Sequence, residues 1–144
     1  MRLTVEKITD KESLNQAFRI RNLVFVIEQE VDAAAEYDEF EEVSSHFLAR
    51  LDGEPIGTAR WRFTEYGVKL ERFAVLKEAR GKGVGQALVA AVLDDVNSNP
   101  KAKGKTKYLH SQLAAIPLYA KFGFEKVGDL FEECTIQHYK MELA

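Results

Sequence analysis

The chain has one cysteine, three prolines and three histidines among its 144 residues. Nowhere does an apolar run approach the roughly 20 residues that a membrane span requires. Its first residues, Met1 to Lys7, reach acidic side chains at once and carry no signal-peptide core. A lone Cys134 forms no internal disulfide, which points to a reducing, cytoplasmic setting. The histidines and Cys134 lack metal-ligand spacing, so no metal is expected. A net charge of −3 leaves no excess of positive charge for nucleic acid. Repeats, low-complexity tracts and linkers are also missing, so residues 1–144 read as one domain.

What is present is uneven. Glu28, Glu30, Asp32, Glu36, Asp38, Glu39, Glu41 and Glu42 follow one another with no Lys or Arg among them. Positive charge gathers at Arg80 and Lys82, and again at Lys101, Lys103, Lys105 and Lys107. Two solvated surfaces would account for this pattern. So would an anionic ligand on the basic side and a cationic substrate on the acidic side.

The periodicities suggest an order of elements. Leu3 to Ile8 alternates like a half-buried strand, and Thr9 with Glu12 forms a capping-box pattern. Leu14, Ala17, Phe18, Arg21, Val24 and Phe25 then recur at helical spacing. His46 to Leu51 and Pro55 to Thr64 read as strands joined by the hairpin signal Asp52-Gly53. Val68 to Leu76 is a further strand, and Val84 to Val96 an amphipathic helix stopped at Asn97-Ser98-Asn99-Pro100. A strand over Lys107 to Ser111, a helix over Ala114 to Phe122, and strands at Phe124 to Val127 and Thr135 to Leu143 complete the chain. This order predicts an α/β (α+β) fold with a mixed sheet covered by helices. An exposed final strand could support a homodimer by edge pairing.

Arg80-Gly81-Lys82-Gly83-Val84-Gly85 lies between a strand and a helix. A diphosphate needs several N–H donors converging on it, and glycines allow that approach while a helix N-terminus adds positive potential. A tight strand-to-helix connection is the plainer alternative. Two other phosphate motifs fail. Gln86 stands where a dinucleotide fingerprint needs glycine. Gly104-Lys105-Thr106 lacks the first P-loop glycine, which is Asn99 here, and it precedes its strand.

The segment Leu70 to Leu88, with Arg80, Gly83 and Gly85 in the motif Gln/Arg-x-x-Gly-x-Gly/Ala, resembles the cofactor motif of the GNAT N-acetyltransferase superfamily. Ala115 to Phe124, with Tyr119 ahead of Gly123-Phe124, resembles that family's late helix. The resemblance implies a mostly antiparallel central sheet of six to seven strands with helices on both faces. It implies acetyl-CoA as co-substrate, held by Phe73, Ala74, Val75, Arg80, Gly81, Lys82, Gly83, Val84, Gly85 and Gln86. Tyr119 matches the general acid that protonates the departing thiolate.

Acyl transfer to an amine needs a neutral nucleophile, yet at pH 7 only on the order of one lysine-like amine in 10³ is uncharged. A base is therefore useful. By two-residue alternation Glu71 shares a strand face with Phe73 and Val75, and the family often carries an acidic base on this strand. Pairing of Glu71 with Arg60 or Arg62 is the competing reading. Val24 to Gln29, Asp38 and His46 are similar to a small bacterial branch of the superfamily, in which this region borders the acceptor. Glu28, Asp38, His110, Gln112 and His138 are accordingly acceptor candidates, although Thr135-Ile136-Gln137 departs from that branch's Gly-Ile-Pro. The expected activity is direct transfer of acetyl to a primary amine of a small cationic acceptor, with no membrane partner. A non-catalytic acyl-CoA-binding module and an acyltransferase similar to autoinducer synthases are the alternatives.

Overall fold

The computed structural model describes residues 2–143. Strand β1 (Leu3–Lys7) leads into helix α1 (Lys11–Arg21), which runs on as a π-helical turn over Asn22–Glu28. Asp10, and not Thr9, caps α1: its carboxylate accepts the Ser13 N–H at 2.9 Å. The acidic segment contributes only the four-residue helix α2 (Ala33–Glu36) before strand β2 (Ser45–Leu51). Asp52 and Gly53, both with positive φ, turn β2 into β3 (Glu54–Phe63), which pairs with β4 (Val68–Val75).

Helix α3 (Val84–Ser98) follows the glycine-rich loop, then β5 (Lys107–Gln112) and the short helix α4 (Ile116–Ala120). Strands β6 (Phe124–Glu133) and β7 (Ile136–Leu143) close the fold. The seven strands form one sheet in the order β1-β2-β3-β4-β5-β7-β6, and only β4 and β5 run parallel. β7 lies between β5 and β6, which corrects the expectation that the final strand is exposed for edge pairing. The described edges are β1 and β6.

Apolar residues divide between the two faces. Val84, Leu88, Val92 and Val96 of α3 bury against Ala49, Ile56, Trp61, Val68, Leu70 and Leu109. On the other face Ala17, Ile20 and Val24 pack on Leu48 and Ala74. Gly57 on β3 lets α3 come close, since a Cβ there would sit 2.9 Å from Val84 Cγ1. That contact places the first turn of α3 at the end of β4.

Candidate active site

β4 and β5 share only two register pairs, Val68 with Lys107 and Lys69 with Tyr108. Beyond Lys69 the two parallel strands part, and the backbone groups of Phe73 to Val75 on that side are left without a β5 partner. Such an opening in a sheet suits an extended ligand arm with its own amides. Its far end is the glycine loop.

Gly81 and Gly83 adopt φ of +78° and +81°, and a Cβ at either would meet nothing within 4 Å. Gly83 is the N-cap of α3 and offers no side chain, so the first N–H groups of the helix have no side-chain cap. Gly85 differs: a Cβ there would lie 3.2 Å from Leu118 Cδ2, so it sets the approach of α3 to α4. Lys82 and Gln86 are exposed beside the loop. These features fit a diphosphate. The Arg80 guanidinium donates to both Glu28 carboxylate oxygens at 2.7 and 2.8 Å, and to the Val75 carbonyl at 3.0 Å. This pair raises the Arg80 pKa and lowers that of Glu28.

The alternation expected for β4 breaks at Arg72. Arg60 pairs with Glu71 but Thr58 pairs with Ala74, so one extra residue bulges from β4, and Arg72 takes a φ of +58°. The Arg72 side chain ties the bulge to the acidic segment through the Glu36 carbonyl and Asp38. As a result Phe73 and Val75 pack toward α3, whereas Glu71 faces Arg60 on the opposite side. The predicted common face of Glu71, Phe73 and Val75 is thus corrected, and the pairing reading for Glu71 is the one observed. Burial alone would raise the Glu71 carboxyl, but Arg60, Lys69 and Arg62 together hold it low.

The acidic segment is likewise folded onto arginines. Arg21, 1% exposed, is bonded by Glu36 and Glu41. Arg60, fully buried, is bonded by Asp38, Glu41 and Glu71. Burial would raise Asp38, yet Arg60 and Arg72 hold its carboxyl at about 2. Four of the eight acids, Glu28, Glu36, Asp38 and Glu41, are therefore committed to internal ion pairs. Glu30, Asp32, Glu39 and Glu42 remain exposed.

A cleft of about 170 Å³ opens where β4 and β5 part. Its walls include Phe25, Leu70, Phe73, Leu109 and Tyr119, with Glu71, His110, Gln112, Glu133 and His138 as polar members. Tyr119, on α4, is 6% exposed with its ring edge-on to Phe73 at 5.5 Å, and burial pushes its phenol pKa up. Gln112 donates to Gln29 at 2.9 Å, which joins the end of β5 to the segment after the π-helical turn. His110 Nδ1 lies 3.0 Å from Glu133 Oε2, and His138 Nδ1 donates to the Ile136 carbonyl at 2.7 Å. Glu28 and Asp38 do not line this cleft. Glu133 escaped the sequence reading because β6 was expected to stop at Val127. A bulge near Gly128, with φ of +77°, breaks its alternation before Phe131 and Glu133 resume. No group of three or more described His, Cys, Asp or Glu side chains could hold a metal ion.

A parted parallel strand pair thus lies between an uncapped glycine loop and a buried tyrosine, and the family to which the chain belongs makes it an acyl-CoA-dependent N-acyltransferase. The family model of the acetyltransferase (GNAT) domain matches residues 8–144, and the chain belongs to that family. It is 39% identical to the uncharacterized N-acetyltransferase YjcF of Bacillus subtilis, covering 92% of this chain and 93% of that protein. Among solved structures, an acyl-CoA N-acyltransferase from Pseudomonas aeruginosa superposes with a TM-score of 0.83 at 25% identity over 99% of both chains. A GNAT family acetyltransferase from Elizabethkingia anophelis, solved with acetyl-CoA bound, shares the fold with a TM-score of 0.72 at 15% identity, over 98% of this chain and 97% of that one.

Proposed function

We propose that the chain, as a single domain over residues 1–144, transfers acetyl from acetyl-CoA to a primary amine of a small cationic acceptor. Both substrates are bound together, and the amine attacks directly. The observation that carries this reading is the parting of β4 and β5, which opens a cleft, lined by Phe73 and Tyr119, beside the strand that leads to the glycine loop. Acetyl-CoA supplies an activated thioester carbonyl. Phe73, Ala74 and Val75 offer main-chain groups to its pantetheine arm. Gly81, Gly83, Val84, Gly85 and Gln86 direct the start of α3 at its diphosphate, with Arg80 and Lys82 adding charge.

Tyr119 is the general acid. Burial raises its pKa, so the hydroxyl stays protonated at neutral pH and has a proton to give the thiolate. Gln112, His110 and His138 border the acceptor. Glu28 and Asp38 act on the acceptor side only indirectly, by holding Arg80 and by holding Arg60 and Arg72. The small cleft suits a compact acceptor. Exposed Glu30 and Asp32 flank Val31 on its wall, which suits a positive charge.

The test is release of coenzyme A thiol from acetyl-CoA across a panel of polyamines, amino sugars and amino acid derivatives. Release with at least one of them is expected. Tight coenzyme A binding without release for any of them would favour a non-catalytic acyl-CoA-binding module instead.

A further inference from the structure

We propose that His110, oriented by Glu133, is the proton acceptor for the attacking amine; this rests on the function proposed above. His110 leaves β5 beside the parted strands and lines the same cleft as Tyr119. Its Nδ1 meets Glu133 Oε2 at 3.0 Å. The His110 bond holds Glu133 ionised, down to about 2, so the carboxylate accepts and Nδ1 must carry the hydrogen. The lone pair of a neutral His110 is then on Nε2, which has no hydrogen-bond partner among the described residues. Phe131 stands edge-on to the imidazole at 5.1 Å and Tyr108 lies at 6.0 Å, so packing as well as the hydrogen bond fixes the ring.

The carboxylates on the cleft wall other than Glu133 are held by cations. Glu71 is held by Arg60, Arg62 and Lys69, and Glu36 by Arg21 and Arg72 through Oε1, while its buried Oε2 has no hydrogen-bond partner among the described residues. His138 Nδ1 meets the Ile136 backbone carbonyl and no carboxylate. The charged or titratable groups around His110 are Glu133 on β6, His138 and Lys140 on β7, Lys69 and Glu71 on β4 and Tyr108 on its own strand. Lys140 is turned toward the Tyr66 ring and Glu142.

The acceptor arrives as an ammonium and gives one proton to Nε2 of His110. The neutral nitrogen forms the C–N bond to the thioester carbonyl, and the C–S bond breaks. The thiolate takes the Tyr119 proton, and the second proton lost by the nitrogen restores the Tyr119 hydroxyl. His110 then passes its proton to solvent. The products are the amide, coenzyme A thiol and one proton.

Two measurements test the dyad. In the free protein, ¹⁵N NMR of the His110 ring, assigned by comparison with His110→Gln, should show Nδ1 protonated and Nε2 bare. An Nε2–H tautomer would overturn the proposal, whether or not any amine is acetylated. With an amine the wild type accepts, His110→Gln should lower kcat/KM by ~10²–10⁴-fold, and free imidazole should restore activity to His110→Ala. Glu133→Gln should move the acid limb of the kcat/KM profile to lower pH, because the imidazolium loses its anionic neighbour. An unchanged profile, or a larger loss in His138→Gln than in His110→Gln, would refute it. Failure of the wild type on every amine would instead count against the proposed function, leaving the tautomer result to decide the dyad.

Discussion

Replacing Arg60 by leucine should cost about 3 kcal/mol of stability. Arg60 is fully buried and meets Asp38, Glu41 and Glu71 at 2.6–2.7 Å. Removing one partner from a buried ion pair typically costs roughly 3–5 kcal/mol, because the remaining charge is stranded. Here no carboxylate is left alone. Asp38 keeps Arg72 at 3.2 Å, Glu71 keeps Arg62 at 2.7 Å, and Glu41 keeps Arg21 at 2.7 Å. That places the cost at the low end of the range, equivalent to a fall of roughly 6–12 °C in Tm for a chain near 150 residues. Urea denaturation followed by circular dichroism reads it directly. Acid sensitivity should change too. In the wild type the folded Asp38 sits at about 2, below its unfolded value, so its contribution is present above about pH 4 and lost as pH falls toward 2. Without Arg60 the folded Asp38 moves back toward its unfolded value, so that loss should be smaller and should end at a higher pH. A cost under about 1 kcal/mol with an unchanged acid limb would refute the view that the acidic segment is folded onto arginines.

Three further outcomes follow from the site. Tyr119→Phe should lower kcat by ~10²-fold or more while leaving the coenzyme A Kd unchanged, measured by thiol release beside calorimetry. Equal turnover would remove Tyr119 from the acid role. Gly57→Ala places a Cβ 2.9 Å from Val84 Cγ1 and should cost ~1–3 kcal/mol by denaturation, with weaker coenzyme A binding as α3 shifts. Glu28→Gln frees an exposed arginine from a competing carboxylate. Surface pairs are worth about 0.2–1 kcal/mol, so coenzyme A should bind up to about fivefold tighter in calorimetry. Weaker binding would show that Glu28 instead holds Arg80 in its phosphate-binding pose.

The glycine loop and the elements around it were legible because they are local. Glycines, a strand end and a helix start are consecutive from Leu76 to Leu88, and the periodicities of β2, β3, β4 and α3 place them correctly. The acceptor half depends on long-range pairings and on irregularities that hide from a period of two. One residue of bulge at Arg72 turned Glu71 away from Phe73, and the bulge near Gly128 concealed Glu133. The acids after Glu28 were visible, but Arg21, Arg60, Arg72 and Arg80 are distant in sequence, so their pairing could not be read. The interior position of β7 was also invisible, since strand order is not written in strand sequence.

The central claim is that the glycine loop and the parted strands form a single cofactor track ending at Tyr119. A crystal structure with acetyl-CoA tests it most directly. The account predicts the diphosphate on the N–H groups of Gly81 to Gly85, the pantetheine arm along Phe73 to Val75, and the thioester in the cleft with Tyr119 and His110. A diphosphate bound at Lys101 to Lys107, or a thioester outside that cleft, would contradict it.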